Sequence, residues 1–120
     1  MAFYFERKIK MNKREQQWDM LEKAGISLKK WSKKNNIGIY AVHFIPTLNF
    51  SLEVFIFYKN DIDVTQNQNN GTSERVKQFF LKALQDINYM DCFNNNISFI
   101  FDSNENVINN YEGSYFFRLR

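Results

Sequence analysis

At 120 residues the chain fits one domain, large enough to bury roughly two-thirds of the surface its unfolded form exposes, so a core can form without staples. Thirteen Phe, six Tyr and two Trp supply rings that each bury about 150–250 Å², which excludes a chain disordered outside its loops. The net charge of +3 hides a division: residues 1–60 carry 11 basic and 5 acidic groups, residues 61–120 carry 5 and 8, so net charge alone does not identify a partner.

Cys92 is the single cysteine, which excludes an internal disulfide and suits a reducing compartment. With no run of about 18 apolar residues and no uninterrupted apolar core of signal-peptide type, the expected location is the cytoplasm, off the membrane.

Phe3, Phe5 and Ile9 alternate with Tyr4, Glu6, Lys8 and Lys10, the period of a short edge strand, although Met11 is also a candidate internal start. From Asn12 to Lys34, Trp18, Leu21, Leu28 and Trp31 recur at helical spacing; Gly25 lowers helix propensity by about 1 kcal/mol, so the segment is one long helix or two bent at Ala24-Gly25. Ile37–Ile45 and Phe50–Lys59 read as strands of a hairpin turning through Pro46-Thr47-Leu48-Asn49, the second with Leu52, Val54, Ile56 and Tyr58 on one face and Phe55 and Phe57 on the other. The polar tract Asn60–Gly71 has almost nothing to bury and is expected to be a mobile loop. Thr72 or Ser73 then caps a helix with Glu74 in its first turn and one stripe of Val76, Phe79, Phe80, Ala83, Leu84 and Ile87. Ile97, Phe99 and Phe101 mark a strand ending at Asp102, Ser103–Glu112 a polar loop, and Tyr115, Phe117 and Leu119 a closing strand over Ser114–Arg120. The expected fold is α+β: a mostly antiparallel sheet of four or five strands, with both helices on one face.

Catalytic constellations are missing. His43, the only histidine, lies in a strand run; Cys92 has neither a second cysteine nor a nearby histidine; and no glycine-rich phosphate loop or nucleophile elbow occurs. Asp102-Ser103-Asn104-Glu105-Asn106 opens like a calcium loop but places Val107 where glycine is needed and Gly113 where the bidentate glutamate belongs. No enzyme activity, metal or cofactor is therefore expected. Two charged sets remain. Lys29, Lys30, Lys33 and Lys34 form a basic stripe at a helix end beside Trp31, suited to gripping phosphates and stacking a base, or simply to complementing the helix dipole. Asp61, Asp63, Asp102, Glu105 and Glu112 all fall in loops at strand ends, where with Tyr58 and Tyr111 they would make an anionic rim suited to a basic cleft.

The final twenty residues, FDSNENVINNYEGSYFFRLR, carry the one recognisable arrangement. The apolar strand, the Asp-Ser-Asn-Glu-Asn-Val loop, the Asn-Tyr-Glu-Gly-Ser-Tyr turn and the aromatic terminus resemble the ending of bacterial immunity proteins from contact-dependent growth inhibition and related polymorphic toxin systems. That resemblance implies a single immunity-protein-like domain over residues 1–120, compatible with the Whirly-like sheet-and-helix fold of some members. It also implies a cognate nuclease toxin domain as partner, EndoU-like RNase being one type, and the charge reading gives Asp61, Asp63, Asp102, Glu105, Tyr111 and Glu112 as the residues that would hold it. The alternative is a single-stranded nucleic-acid-binding module using Lys29, Lys30, Trp31, Lys33 and Lys34.

Overall fold

The computed structural model describes residues 12–120, so the expected edge strand over Phe3–Lys10 and the start at Met11 lie outside the described residues. Helix α1 (Lys13–Lys34) begins at Asn12, whose side chain accepts the Glu15 N–H at 2.8 Å, and ends with Lys33 and Lys34 against its negative pole. It runs unbroken through Gly25. A Cβ there would stand 3.4 Å from the Phe44 ring, so the residue marks where helix and sheet approach closely. The buried stripe is Gln17, Leu21, Ala24, Leu28 and Ser32, whereas Trp18, expected inside, is 45% exposed. Gln17 displaces it because its amide has a buried partner, donating to the Tyr89 hydroxyl at 2.8 Å while accepting from Arg14 at 2.6 Å.

Strands β1 (Ile39–Pro46) and β2 (Leu52–Tyr58) pair antiparallel, and Thr47 and Ser51 close the turn between them at 2.8 Å. The next segment departs from expectation. The tract from Asn60 is no loop: α2 (Asp61–Asn69) starts where Asp63 reaches back to accept the Asn60 N–H at 3.0 Å, the reciprocal arm of a capping box, and Val64 packs on the core. Helix α3 (Thr72–Asp86) is then capped by neither Thr72 nor Ser73. Gly71 occupies that position at φ 84°, a left-handed backbone for which glycine is suited, and Ser73 lies within the helix, bonded to the Tyr58 hydroxyl at 2.8 Å.

A single turn, α4 (Tyr89–Cys92), leads to β3 (Ile97–Ser103), which pairs with β2 in parallel from Leu52↔Ile97 to Tyr58↔Ser103. The sheet among the described residues is therefore mixed, three-stranded and ordered β1-β2-β3, not a mostly antiparallel sheet of four or five strands, and the Whirly-like expectation falls with it. Two physical causes account for the difference. The helices between β2 and β3 form a crossover that carries the chain back to the start of the sheet, which makes the pairing parallel. After Ser103 the chain coils: α5 (Asn104–Asn110) replaces the expected loop and α6 (Tyr115–Arg118) the expected closing strand. Ser103 and Ser114 cap them, accepting the N–H groups of Asn106 at 2.9 Å and Phe117 at 3.2 Å.

The two expected helices, α1 and α3, do share one face, but α5 and α6 cover the other. Leu52, Val54, Ile56 and Tyr58 meet Leu21, Leu28, Val76, Phe80 and Leu84 of α1 and α3, all nearly or fully inaccessible. On the opposite face Phe55 and Phe57 meet Val107 of α5, with Tyr111, Tyr115 and Leu119 packed around them. Tyr115 and Leu119 are four apart, so the turn of α6 carries both to the sheet, while Phe117, which a strand would place on the same face, is 45% exposed.

Candidate functional site

Strands β2 and β3 end side by side, Tyr58 opposite Ser103, and each feeds a helix. The N-termini of α2 and α5 therefore gather at one end of the sheet, where their unpaired N–H groups and positive poles call for acceptors and negative charge. The acidic residues answer that need. Glu105 Oε1 accepts the Asp61 N–H at 2.8 Å, the Glu105 N–H donates to the Lys59 carbonyl at 3.0 Å, and the Ser103 hydroxyl donates to Asp61 Oδ1. Ser103, fully buried, thus accepts from Asn106 and donates to Asp61, tying the two helix starts together.

Of the expected rim, Asp61, Asp63 and Glu105 come together here. Their bonds are to uncharged donors, and among the described residues none of the three is in an ion pair. Asp102 belongs elsewhere. Its carboxylate accepts Arg118 Nε at 2.5 Å and the Asn106 amide at 3.0 and 3.1 Å, and the ion-paired side chains are only 20% and 14% exposed. This is a clasp holding α6 to β3. The Arg118 guanidinium also lies 5.6 Å from the rings of Phe55 and Tyr111, so Tyr111 is part of the packing beneath the clasp. Glu112 is exposed at φ 55° beyond the C-terminal end of α5, about 10 Å along the helix from Glu105 at the usual rise per residue. Tyr58 is fully buried and cannot flank a docking surface.

Sequence reasoning missed two residues. Ile62, between Asp61 and Asp63, is 62% exposed, and Ile108, one turn past Glu105, is 57% exposed. Helices α2 and α5 touch, Ile108 shares a shallow pocket with Glu105 and Lys59, and Ile62 stands in the first turn of α2 between Asp61 and Asp63. The signal available was that Val64 and Val107 fill the inward positions of these turns and leave Ile62 and Ile108 outside, legible only once Asn60 and Ser103 are recognised as helix caps.

The basic set divides differently. Lys29, Lys30, Lys33 and Lys34 are exposed, but the Trp31 ring lies flat on Phe79, centroids 4.5 Å apart at 11°, with the Arg75 guanidinium 5.6 Å from its centre. One stacking surface is already taken by the core. His43 packs against Tyr115 at 4.9 Å and Phe57 at 5.8 Å, where burial lowers its pKa below the ordinary imidazole value. Cys92 is exposed at the end of α4. Among the described residues no three His, Cys, Asp or Glu side chains are grouped to hold a metal ion, and no helix is long and apolar enough to cross a membrane.

No family model, curated protein or solved structure matches this chain. What the sheet end does must be read from its chemistry: two coupled helix starts presenting three carboxylates and two exposed isoleucines.

Proposed function

We propose that the chain is a cytoplasmic immunity protein, of the contact-dependent inhibition or polymorphic toxin type, that binds a cognate nuclease toxin domain and blocks substrate access without catalysis of its own. The observation that carries this reading is the mixture at the sheet end. Asp61, Asp63 and Glu105 are in no ion pair among the described residues, so they complement a basic substrate cleft, such as that of an EndoU-like RNase, and steer its approach. Ile62 and Ile108 give such an interface apolar anchors. The rigid link through Ser103 keeps both groups in fixed register. Nucleic acid would meet only the lysines of α1, in a weak association that rising salt dissolves.

The test uses the toxic domain encoded beside this protein's gene. Co-expression with the wild-type chain should rescue growth through a 1:1 complex, and Ile62→Arg with Ile108→Arg should weaken that complex by about a hundredfold or more, the loss typical of two interface anchors. These positions are better probes than the carboxylates, whose bonds serve the fold. Full protection by the folded double variant, or the absence of any toxic domain there, would overturn the reading.

A further inference from the structure

At the far side of the sheet from β3, β1 pairs with no other strand than β2 among the described residues. Protein edges are ordinarily guarded by inward-pointing charges or prolines, yet from Ile39 to Ile45 β1 contains no Asp, Glu, Lys, Arg or Pro. A register irregularity between Ile39 and Ala41 disturbs its first residues, and Pro46 ends it without an N–H. Regular pairing is thereby confined to Ala41–Ile45, with His43 at the midpoint. Beside this edge an apolar groove separates β1 from α1, with Ile26 50% and Tyr40 55% exposed along it.

Charge identifies what fits there. Glu22 and Lys29 stand on the groove, both exposed, and neither is in an ion pair among the described residues. They are seven residues apart on one helix face, about 10 Å, and the midpoint between them falls at Gly25-Ile26, where the helix meets Phe44. A two-fold axis through the middle of β1 would reverse strand and helix together. It would set Lys29 of each copy opposite Glu22 of the other, the reciprocal match that an isologous interface requires. An edge unpaired among the described residues, exposed apolar residues beside it and self-complementary charges coincide on one surface.

We propose that the partner for this edge is a second copy of the chain: two β1 strands pair antiparallel about His43, joining the three described strands of each copy into one continuous sheet with Glu22–Lys29 pairs on both sides of the axis. The surface is separate from the sheet end holding Asp61 and Glu105, so either assignment can fail without the other.

Sedimentation of the full chain over about a hundredfold range of concentration tests it, since dimerisation follows mass action. The expected species has twice the 14.5 kDa chain mass. Glu22→Lys and Lys29→Glu, each alone, place like charges across the axis and should raise the dimer dissociation constant about tenfold or more, whereas the double reversal should restore it to within about threefold. Ile26→Arg should also dissociate the dimer. Circular dichroism melts of each variant identify the folded ones, and any one single reversal that folds suffices with the double. A monomer throughout the range would overturn the proposal, and so would a dimer indifferent to both single reversals.

Discussion

The two faces of the sheet are built on different principles. Against α1 and α3 lies a broad apolar cluster in which Leu21, Leu28, Val54, Ile56, Val76, Phe80 and Leu84 are wholly excluded from water. Against α5 and α6 only Phe55, Phe57 and Val107 are buried, and half-buried rings surround them. The second face owes its order to directional bonds: the Ser103 and Ser114 caps, the Asp102–Arg118 clasp, and the Tyr115 hydroxyl donating to Asn104 at 2.8 Å. Burial is proportional to area and tolerates small shifts, whereas a buried ion pair is strongly weakened when either partner is lost. The first face should therefore govern global stability and the second its own local order.

The largest test of that contrast is Phe80→Ala. Its ring is fully buried among Phe44 and Phe99, and truncation should destabilise by about 3–5 kcal/mol, lowering the melting temperature by at least about 10 °C. Amide exchange should then accelerate throughout the sheet. A drop below about 1 kcal/mol would mean that this face does not dominate stability.

Arg118→Ala and Ser103→Ala, taken separately, should each cost about 1–3 kcal/mol, because each strands a partner, Asp102 in one case and the α5 start with Asp61 in the other. The decisive readout is hydrogen exchange by residue. Amides of α5 and α6 should lose protection first, with those of α1 and α3 unchanged. Equal losses on both faces would remove the distinction.

A smaller effect should appear with pH. Burial lowers the pKa of His43 in the folded chain from its ordinary 6.5, so below about pH 6.5 the unfolded chain binds the proton more readily. Stability should fall as pH drops through 6.5 and level off below the folded pKa, and above 6.5 this group should contribute no slope. Chemical denaturation of the wild type and His43→Phe across that window checks it; the variant should lose the part of the slope due to His43, and an unaltered slope would show that the ring is solvated.

Gly25→Ala should give the smallest change. The added methyl would meet the Phe44 ring at 3.4 Å, ordinary contact, while the helix gains up to about 1 kcal/mol of propensity. A small rise in melting temperature is expected. A fall of several degrees would mean that α1 and β1 are packed too closely to yield.

Legibility follows the same division. The stripe Val76–Phe80–Leu84 and the alternation of Leu52, Val54, Ile56 and Tyr58 name the first face correctly, because a regular apolar period is a local property. Asn60–Gly71 and Ser103–Glu112 read as loops because their polar composition outweighs their capping residues, and the expected rim dissolves with them. Asp102 is a clasp, Tyr58 a core residue, and Glu112 a remote exposed charge.

By itself the sequence determined that an aromatic core forms, where α1, β1, β2 and α3 lie, and that β1 and β2 make a hairpin, each set by neighbours within a few residues. Only the tertiary structure decided that β3 runs parallel to β2, that the C-terminal segment coils onto the second face, and that Asp61 and Glu105 meet at two helix starts. The physical reason is that strand direction and face are chosen by contacts distant in sequence. Tyr115, Phe117 and Leu119 satisfy a strand's alternation, but Tyr115 and Leu119 also satisfy a helical turn, and the sheet surface at Phe57 selects the turn.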